Sequence, residues 1–252
     1  KIMIDNGILF LDEVNSTNTY LKSLLEKQLD LSEGTMVCSD LQTSGHGQVG
    51  NSWESERGAN LIFSILLYPH SILPSEQFYI SQAISLGIVD FLTSYCQLED
   101  ISIKWPNDIY WKNKKICGIL IEHFISGHLI ENTIAGIGIN INQKVFKSNA
   151  PNPVSVYLIN GKTYDIKDAA SVVWRFVFSR YLQLLENKRE LIRTDYFSLL
   201  YRKEGFHKYS DENGIFSAKI IDVQETGVLV LLTDKGEKRK YAFKEVEYQL
   251  EN

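Results

Sequence analysis

The chain has 252 residues, of which 44% are hydrophobic and 23% charged, a composition typical of a globular protein with room for one large domain or a domain plus a small appendage. Its 26 Lys and Arg against 31 Asp and Glu give a net charge of −5, and the longest basic run is the short 238–240, which argues against general DNA or RNA binding. Neither an apolar stretch of membrane-spanning length nor a signal-peptide pattern is present, so we expect a cytoplasmic protein without membrane contact.

The first third of the chain predicts one helix and two strands. Residues 16–27 open with residues that cap helices and continue with leucines on one helical face, so a helix is expected to begin at Ser16 or Thr17. Residues 35–41 are typical of a strand that leads into a glycine-rich loop. Residues 60–68 form an almost unbroken apolar run, which indicates a buried strand.

The middle third predicts a long helix followed by several strands. Residues 78–95 have a wide apolar face and are expected to pack on a sheet as a helix. Residues 101–105 alternate like a strand that Pro106 ends. Residues 114–122 and 129–142 then predict a hairpin.

The last third changes character near residue 205. Residues 143–162 look irregular, and helices are expected at 165–187 and 189–201. After them come short strands with turns at 225–227 and 234–236, which indicates a small antiparallel β-barrel. We therefore predict an α+β fold whose mixed β-sheet packs with helices in a domain at 1–204, with an appended barrel at 205–252.

The cysteine and histidine patterns point away from disulfides and protein-bound metals. The three cysteines, Cys38, Cys96 and Cys117, are far apart and form no C-x-x-C pair, so they are expected to be reduced and mostly buried. The histidines form no H-E-x-x-H pattern, and no direct metal ligation by the protein is predicted.

The stretch "GHGQVGNSW", residues 45–53, is the first candidate for a ligand site. Several close glycines let a backbone approach a ligand and turn its N–H groups toward an anion. The stretch lacks the Gly-Lys-Ser/Thr end of a Walker loop and leads into a strand rather than a helix. A plain multi-glycine turn is an equally good interpretation of the spacing alone.

Three further motifs are candidates, and each has an ordinary structural explanation. "KWPND" at 104–108 puts Asn107 and Asp108 at a turn, which also suits a plain β-hairpin. "STN" at 16–18 offers hydroxyls and N–H groups, although a helix N-cap explains it as well. "AGIGIN" at 135–140 implies close approach of a backbone or a ring-shaped ligand, or simply tight packing against a helix.

Together and in this order, the motifs resemble the biotin protein ligases over essentially the whole chain. The combination is "STN", "QTSGxG", a following Trp, "GANL", "KWPND", "K(x)₂G(x)LIE" and "GIGIN". The resemblance implies a mixed-sheet catalytic domain with a C-terminal SH3-like barrel. It also implies that ATP and biotin, with Mg²⁺, form biotinyl-5′-AMP, from which biotin passes to one lysine of a biotin carboxyl carrier domain.

The resemblance also implies site residues. Lys115 would hold the biotin carboxylate and then the adenylate phosphate, Asp108 would orient or deprotonate the incoming lysine, and Asn107 would support it or the nucleotide. Trp53 would form a wall of the biotin pocket, and Asn140 would lie near the adenine. The remaining biotin and adenylate contacts would come from Ser16, Thr17, Asn18, Gln42, Gly45, His46, Gly47, Gln48 and Gly118.

The glycine loop departs from the family pattern. Where the family reads G-R-G-R, this chain has His46 and Gln48. Arginine supplies a permanently charged fork, whereas glutamine is neutral and histidine is largely neutral at pH 7. We therefore hypothesise that the adenylate is held less tightly than in most relatives, with Lys115, backbone N–H groups and Mg²⁺ replacing the arginines. Protonation of His46 in an anionic pocket is a second hypothesis.

Other functions remain open at this point. A lipoate or octanoyl ligase shares the fold and the carrier-lysine chemistry but lacks "KWPND" with a following "GIGIN". A non-catalytic biotin-binding protein is the alternative from another class, and Asp108 and Lys115 argue against it. Because "STN" begins at residue 16, we expect the monofunctional type without an N-terminal DNA-binding domain, and a homodimer is possible.

Overall fold

The structure is a computed structural model that describes residues 7–27, 29–45, 53–147 and 152–249. Its strands are β1 (Ile8–Leu11), β2 (Met36–Ser39), β3 (Leu61–Leu67), β4 (Ile101–Lys104), β5 (Asp108–Trp111), β6 (Lys114–Ser126), β7 (Leu129–Ile139), β8 (His207–Asp211), β9 (Gly214–Val223), β10 (Leu229–Thr233), β11 (Lys238–Tyr241) and β12 (Glu247–Tyr248). Its α-helices are α1 (Thr17–Glu26), α2 (Phe78–Asp90), α3 (Val156–Asn160), α4 (Ile166–Leu185) and α5 (Arg189–Ser198).

The larger sheet has seven strands in the order β1-β2-β3-β7-β6-β5-β4. Only β1 and β2 run parallel, and the other neighbours are antiparallel. This mixed sheet with helices confirms the predicted α+β class. The predicted hairpin of β6 and β7 is also confirmed and forms the centre of the sheet.

The two faces of this sheet are covered differently. Alternate residues of β3 and β7, such as Phe63 and Ile137, pack with α2 and α4 into the main core. The intervening residues point to the other face, where a smaller apolar cluster joins α1 to the sheet through residues such as Leu21 and Leu66. Helix α1 lies over β2, β3 and β7, and the candidate site lies beside it on the same face.

The second sheet is antiparallel, with the order β11-β10-β9-β8-β12. The predicted turns at 225–227 and 234–236 connect its strands. Among the described residues, no pairing of β11 with β12 closes it into a barrel, so the structure supports only the five-stranded antiparallel sheet. The boundary between 204 and 205 stays a prediction.

One turn of the second sheet packs directly against the first. The indole Nε1 of Trp105 donates to the carbonyl of Gly227 at 2.9 Å. Gly227 has a φ of +89°, and a Cβ there would lie 2.8 Å from Cδ2 of Phe78. A glycine is needed here for both reasons, and the contact ties "KWPND" to the second sheet.

Several elements differ from the sequence-based expectation. Strands β1, β5 and β8 and the short helix α3, each four or five residues long, do not appear in the sequence-based expectation. The helix expected at 78–95 is α-helical over Phe78–Asp90 and ends in a π-helical turn over Phe91–Tyr95. All three cysteines are free and buried, as predicted. In the described part of the chain, no helix is long and apolar enough to span a membrane.

Candidate active site

Glycines on β6 and β7 line the part of the sheet face that lies beside α1. Gly118 of β6 pairs with Gly138 of β7, and the Trp53 ring lies on both. A Cβ on Gly138 would be 2.4 Å from Cε2 of Trp53, and one on Gly118 would be 3.0 Å from its Cζ3. The close approach that the "GIGIN" spacing predicts is to the Trp53 ring at Gly138 and to the Asn18 side chain of helix α1 at Gly136.

The glycine loop can be followed only at its ends. The backbone N–H of Trp53 donates to the carbonyl of Gly45 at 3.1 Å, so the two ends of the loop meet. Residues 46–52 lie outside the described residues, and the predictions for His46, Gly47 and Gln48 lie there with them.

The "STN" motif begins α1 and contacts the strand that leads into the glycine loop. Gln42 Oε1 accepts from the Thr17 backbone N–H at 2.8 Å and from its hydroxyl at 3.1 Å. With its oxygen occupied, the Gln42 carboxamide has its NH₂ group left to donate, and among the described residues no acceptor for it is found. Ser16 is the N-cap residue of α1, but its side chain makes no cap hydrogen bond with the described residues. A capping explanation of "STN" therefore covers its position and not its side chains.

Asn18 is held by protein groups at both ends of its carboxamide. Its Nδ2 donates to Glu122 Oε2 at 2.7 Å, and its Oδ1 accepts from the Ser64 hydroxyl at 2.6 Å. A Cβ on Gly136 would be 2.4 Å from Oδ1, so that glycine makes room for the amide. Asn18 thus links α1 to three central strands of the sheet, and its ligand contact stays a prediction.

Asp108 and Lys115 form the charged centre of the site. Asp108 begins β5, Lys115 lies near the start of β6, and Lys115 Nζ is 2.8 Å from Asp108 Oδ1. Both side chains remain about 30% exposed (32% and 28%), so a ligand can reach them. Lys115 Nζ also lies 5.9 Å from the centre of the Trp53 ring. Antiparallel pairing of β5 with β6 brings the two charges together.

Asn107 holds the turn that precedes Asp108. It is 9% exposed, and its Nδ2 donates to the carbonyl of Ile119. The donor group of Asn107 is thereby directed toward β6 and holds the turn before Asp108 against the strand that carries Gly118.

Lys104 is a cation beside this centre that the sequence did not single out. Its Nζ donates to the Tyr110 hydroxyl at 3.1 Å and lies 5.1 Å from the centre of the Tyr248 ring. Burial lowers the pKa of Lys104, while the nearby Asp108 acts in the opposite direction. Since Tyr248 belongs to β12, the second sheet reaches the edge of the site.

Asn140 lies at the end of β7 on the same face as Gly138. It is 3% exposed, and its Nδ2 donates to the carbonyl of Val154 at 3.1 Å. Its Oδ1 is buried without a hydrogen-bond partner among the described residues. A buried acceptor without a partner is costly, so this oxygen is suited to a donor on a ligand.

Comparison with known proteins shows the family of the chain. Residues 10–140 match the Biotin/lipoate A/B protein ligase family, which is more than half of the chain. The chain belongs to that family. The resemblance of its motifs to the biotin protein ligases is thereby confirmed at the level of the family.

Individual members of the family extend the match to nearly the whole chain. The biotin protein ligase of Aquifex aeolicus, solved in complex with biotin and ATP, has a TM-score of 0.77 and 27% identity, covering 96% of this chain and 99% of that one. The bifunctional ligase/repressor BirA of Bacillus spizizenii is 26% identical over 240 residues, which are 93% of this chain and 72% of that protein.

Several residues near the site were missed from sequence. Ser64 and Glu122 hold Asn18, and Asn60 and Gln143 hold the chain beside Asn140. The sequence gives one indication of Ser64, because it is the one polar residue in the otherwise apolar β3. The partner of Glu122 depends on how α1 lies across the sheet, which no spacing along the chain reveals.

Proposed function

We propose that the protein is a biotin–protein ligase, which activates biotin with ATP and transfers it to a lysine of a biotin carboxyl carrier domain. The observation that carries the proposal is the Lys115–Asp108 pair, 2.8 Å apart beside the glycines under Trp53. One cation and one carboxylate at the same place suit a reaction that first joins two anions and then needs a proton acceptor.

The first step is formation of biotinyl-5′-AMP. An oxygen of the biotin carboxylate attacks the α-phosphorus of ATP, the bond to the β-phosphate oxygen breaks, and pyrophosphate leaves. Carboxylate and triphosphate repel each other, so a cation at their meeting point lowers the barrier. Lys115 is our candidate, because its Nζ remains accessible.

The second step is transfer to the carrier. The neutral amine of the carrier lysine attacks the acyl carbon of the adenylate, an amide bond forms, and AMP leaves with the electrons of the broken acyl–oxygen bond. The attacking amine must lose a proton, and Asp108 is our candidate to orient it and accept that proton. Asn107 holds the turn on which Asp108 lies.

We assign the biotin ring to the region between α1 and the Trp53 ring. The Gln42 carboxamide would offer its NH₂ group to a ligand acceptor, while Ser16, Thr17 and the Gly45 backbone lie around it. The Trp53 ring would form the apolar wall of the biotin site. Gly118 and Gly138 leave space for the Trp53 ring against the sheet. His46, Gly47 and Gln48 keep their proposed roles on sequence grounds alone.

We assign the adenine to the neighbourhood of Asn140. The Val154 carbonyl accepts from Nδ2, so the Asn140 carboxamide presents its oxygen. A fixed acceptor suits the 6-amino group of adenine, which is a donor. This is the physical basis that we propose for the use of ATP.

The expected Mg²⁺ would reach the site with the nucleotide. In the described part of the chain, no three His, Cys, Asp or Glu side chains converge as a metal-binding group. The phosphate oxygens of ATP would then be its main ligands, and its chemistry is to neutralise phosphate charge.

The finer organisation is also inferred. We take residues 1–204 as the catalytic domain and 205–252 as the SH3-like unit of the family, which the antiparallel sheet β8–β12 supports at a coarser level. A homodimer and a cytoplasmic location stay predictions from the sequence.

A lipoate or octanoyl ligase is the main alternative, because the family name covers both substrate classes. The motif combination favours biotin, and so does the similarity to a relative solved with biotin and ATP. A non-catalytic biotin-binding protein would have no need of the Lys115–Asp108 pair.

The test is biotin transfer to a purified carrier domain. The protein, ATP, Mg²⁺ and biotin are incubated with a biotin carboxyl carrier domain, and the product is read by intact mass and peptide mapping. We expect one biotin on one carrier lysine and none on a carrier with that lysine changed to arginine. Incorporation of lipoate but not biotin would overturn the proposal.

A further inference from the structure

A buried group of polar side chains holds the chain beside Asn140. Asn60 Oδ1 accepts from the backbone N–H of Ile141 at 2.9 Å, and its Nδ2 donates to Gln143 Oε1 at 2.5 Å. Asn60 and Gln143 are each 1% exposed. In an apolar interior these bonds fix orientation strongly, because leaving either group without its partner costs free energy.

Gln143 extends the same group to the chain that returns to the site. Its backbone carbonyl accepts from the Ser155 hydroxyl at 2.5 Å, and Ser155 is fully buried. The next backbone N–H, that of Val156, donates to the carbonyl of Asn140 at 3.0 Å. Asn140 and the chain just after it are therefore joined to the chain that carries Val154, the partner of the Asn140 amide.

These bonds determine where the Asn140 oxygen points. The position of Oδ1 depends on the backbone of residues 140–141 and on the Val154 carbonyl. Asn60 holds the backbone at Ile141 directly, and the Gln143 side chain holds Asn60 in turn. The Gln143 backbone carbonyl binds Ser155, the residue that follows Val154.

We propose that Asn60, acting with Gln143, is a positioning residue that fixes the Asn140 carboxamide oxygen for the nucleotide base and so sets selection for a 6-amino purine. This inference rests on the proposed function, in which Asn140 lies near the adenine. Asn60 does not contact the base in this proposal, and it acts only through the position of Asn140.

The experiment compares ATP with inosine triphosphate, which carries a carbonyl where adenine carries the amino group. In biotin-dependent pyrophosphate exchange, the wild type is expected to prefer ATP, because two carbonyl oxygens facing each other repel. Asn60→Leu and Gln143→Met keep the side-chain volumes but remove the side-chain hydrogen bonds, while the bond from Ser155 to the Gln143 backbone carbonyl stays. We expect each to lower kcat/KM for ATP about tenfold, as for loss of a buried hydrogen-bond network, and to bring the ATP-to-ITP ratio toward one.

Two controls separate this role from a general loss of stability. Gln82→Leu removes another buried carboxamide, from α2 on the helix-covered face, and is expected to leave the ATP-to-ITP ratio unchanged. The KM for biotin should stay within twofold of wild type in Gln143→Met, which also keeps the test valid if Asn60→Leu does not fold.

An unchanged ATP-to-ITP ratio in Gln143→Met or Asn60→Leu would overturn the inference, and so would equal rises in the KM values of ATP and biotin. Wild-type protein with no preference between the two nucleotides would overturn it too. Failure of the proposed function looks different, since the wild type would then show no biotin-dependent exchange with either nucleotide.

Discussion

Trp53 lies on Gly138 so closely that a Cβ there would be 2.4 Å from Cε2 of the indole. The two residues come from the end of the glycine loop and from "GIGIN", 85 positions apart in the chain (138 − 53). The contact explains why both motifs belong to one site. It also gives a substitution that acts on the site with little effect elsewhere, because the φ of Gly138 is one that other residues adopt.

Gly138→Ala is expected to raise the KM for biotin about tenfold, because the methyl group displaces Trp53 or enters the space assigned to biotin. Gly118→Ala should have a smaller effect, since its Cβ would meet the indole at 3.0 Å. Steady-state kinetics of pyrophosphate exchange measure both. Equal KM values for wild type and Gly138→Ala would contradict the assignment of Trp53 to the biotin pocket.

Asp108→Asn should separate the two steps. The asparagine can still accept a hydrogen bond from Lys115, so pyrophosphate exchange is expected to stay within about threefold of wild type. Transfer to the carrier should fall about a hundredfold, the usual contribution of a proton acceptor. Asp100→Asn, an exposed acid paired with Lys112 on the same β4–β5 hairpin, is the control. Equal loss in both steps would show that Asp108 does not act mainly in transfer.

His123 predicts a dependence of stability on pH. Burial lowers its pKa to about 4, below its ordinary value of 6.5, and its Nδ1 lies 2.9 Å from the Thr133 hydroxyl. Between those two pH values the unfolded chain binds the proton more readily than the folded one. The free energy of unfolding should therefore decrease as pH falls from 6.5 toward 4.

Urea unfolding at pH 4.5, 5.5 and 7 checks this prediction. His123→Gln keeps a hydrogen-bonding group but does not titrate, so its stability should decrease less than that of wild type over the same range. His128→Gln, an exposed residue of the same hairpin turn, is the control. Identical pH profiles for wild type and His123→Gln would contradict the role of His123.

The loop substitutions give a prediction from sequence alone. Restoring the family pattern with His46→Arg and Gln48→Arg adds charge-assisted hydrogen bonds of about 1.5–3 kcal/mol each when well placed. Release of biotinyl-5′-AMP should slow at least tenfold, and labelling of bystander lysines should decrease. Single-turnover release assays measure this, with His128→Arg as a control for added charge. An equal release rate would sink the hypothesis.

The hypothesis that His46 becomes protonated is distinguished by pH. If the imidazolium replaces the first arginine, biotin should bind more tightly at pH 6 than at pH 8. Titration calorimetry of wild type at the two values decides, and affinity that does not change would count against it.

How far the sequence predicted the site depends on the distance over which its residues interact. Asp108 and Lys115 lie only seven positions apart, on adjacent strands, and the resemblance to the family assigned both to one site. The bond from Asn18 to Glu122 crosses 104 positions and depends on how α1 lies across the sheet. The latter arrangement is a product of tertiary packing, and no local pattern encodes it.

The same reasoning applies to the fold. The long periodic helices α2 and α4 and the apolar β3 were predicted because burial leaves a strong pattern over many residues. Strand β5 begins at Asp108, and the sequence places Asp108 in a turn together with Asn107. Strand β1 is an edge strand of four residues, too short for a period to be recognised.

The measurement that tests the central claim most directly is pyrophosphate exchange with biotin, lipoate and octanoate as competing acids. Labelled pyrophosphate is followed into ATP in the presence of Mg²⁺ and each acid in turn, without any carrier. We predict exchange that depends on biotin and is at least a hundredfold weaker with the other two acids. Exchange supported by lipoate or octanoate but not by biotin, or no exchange with any of the three, would contradict it.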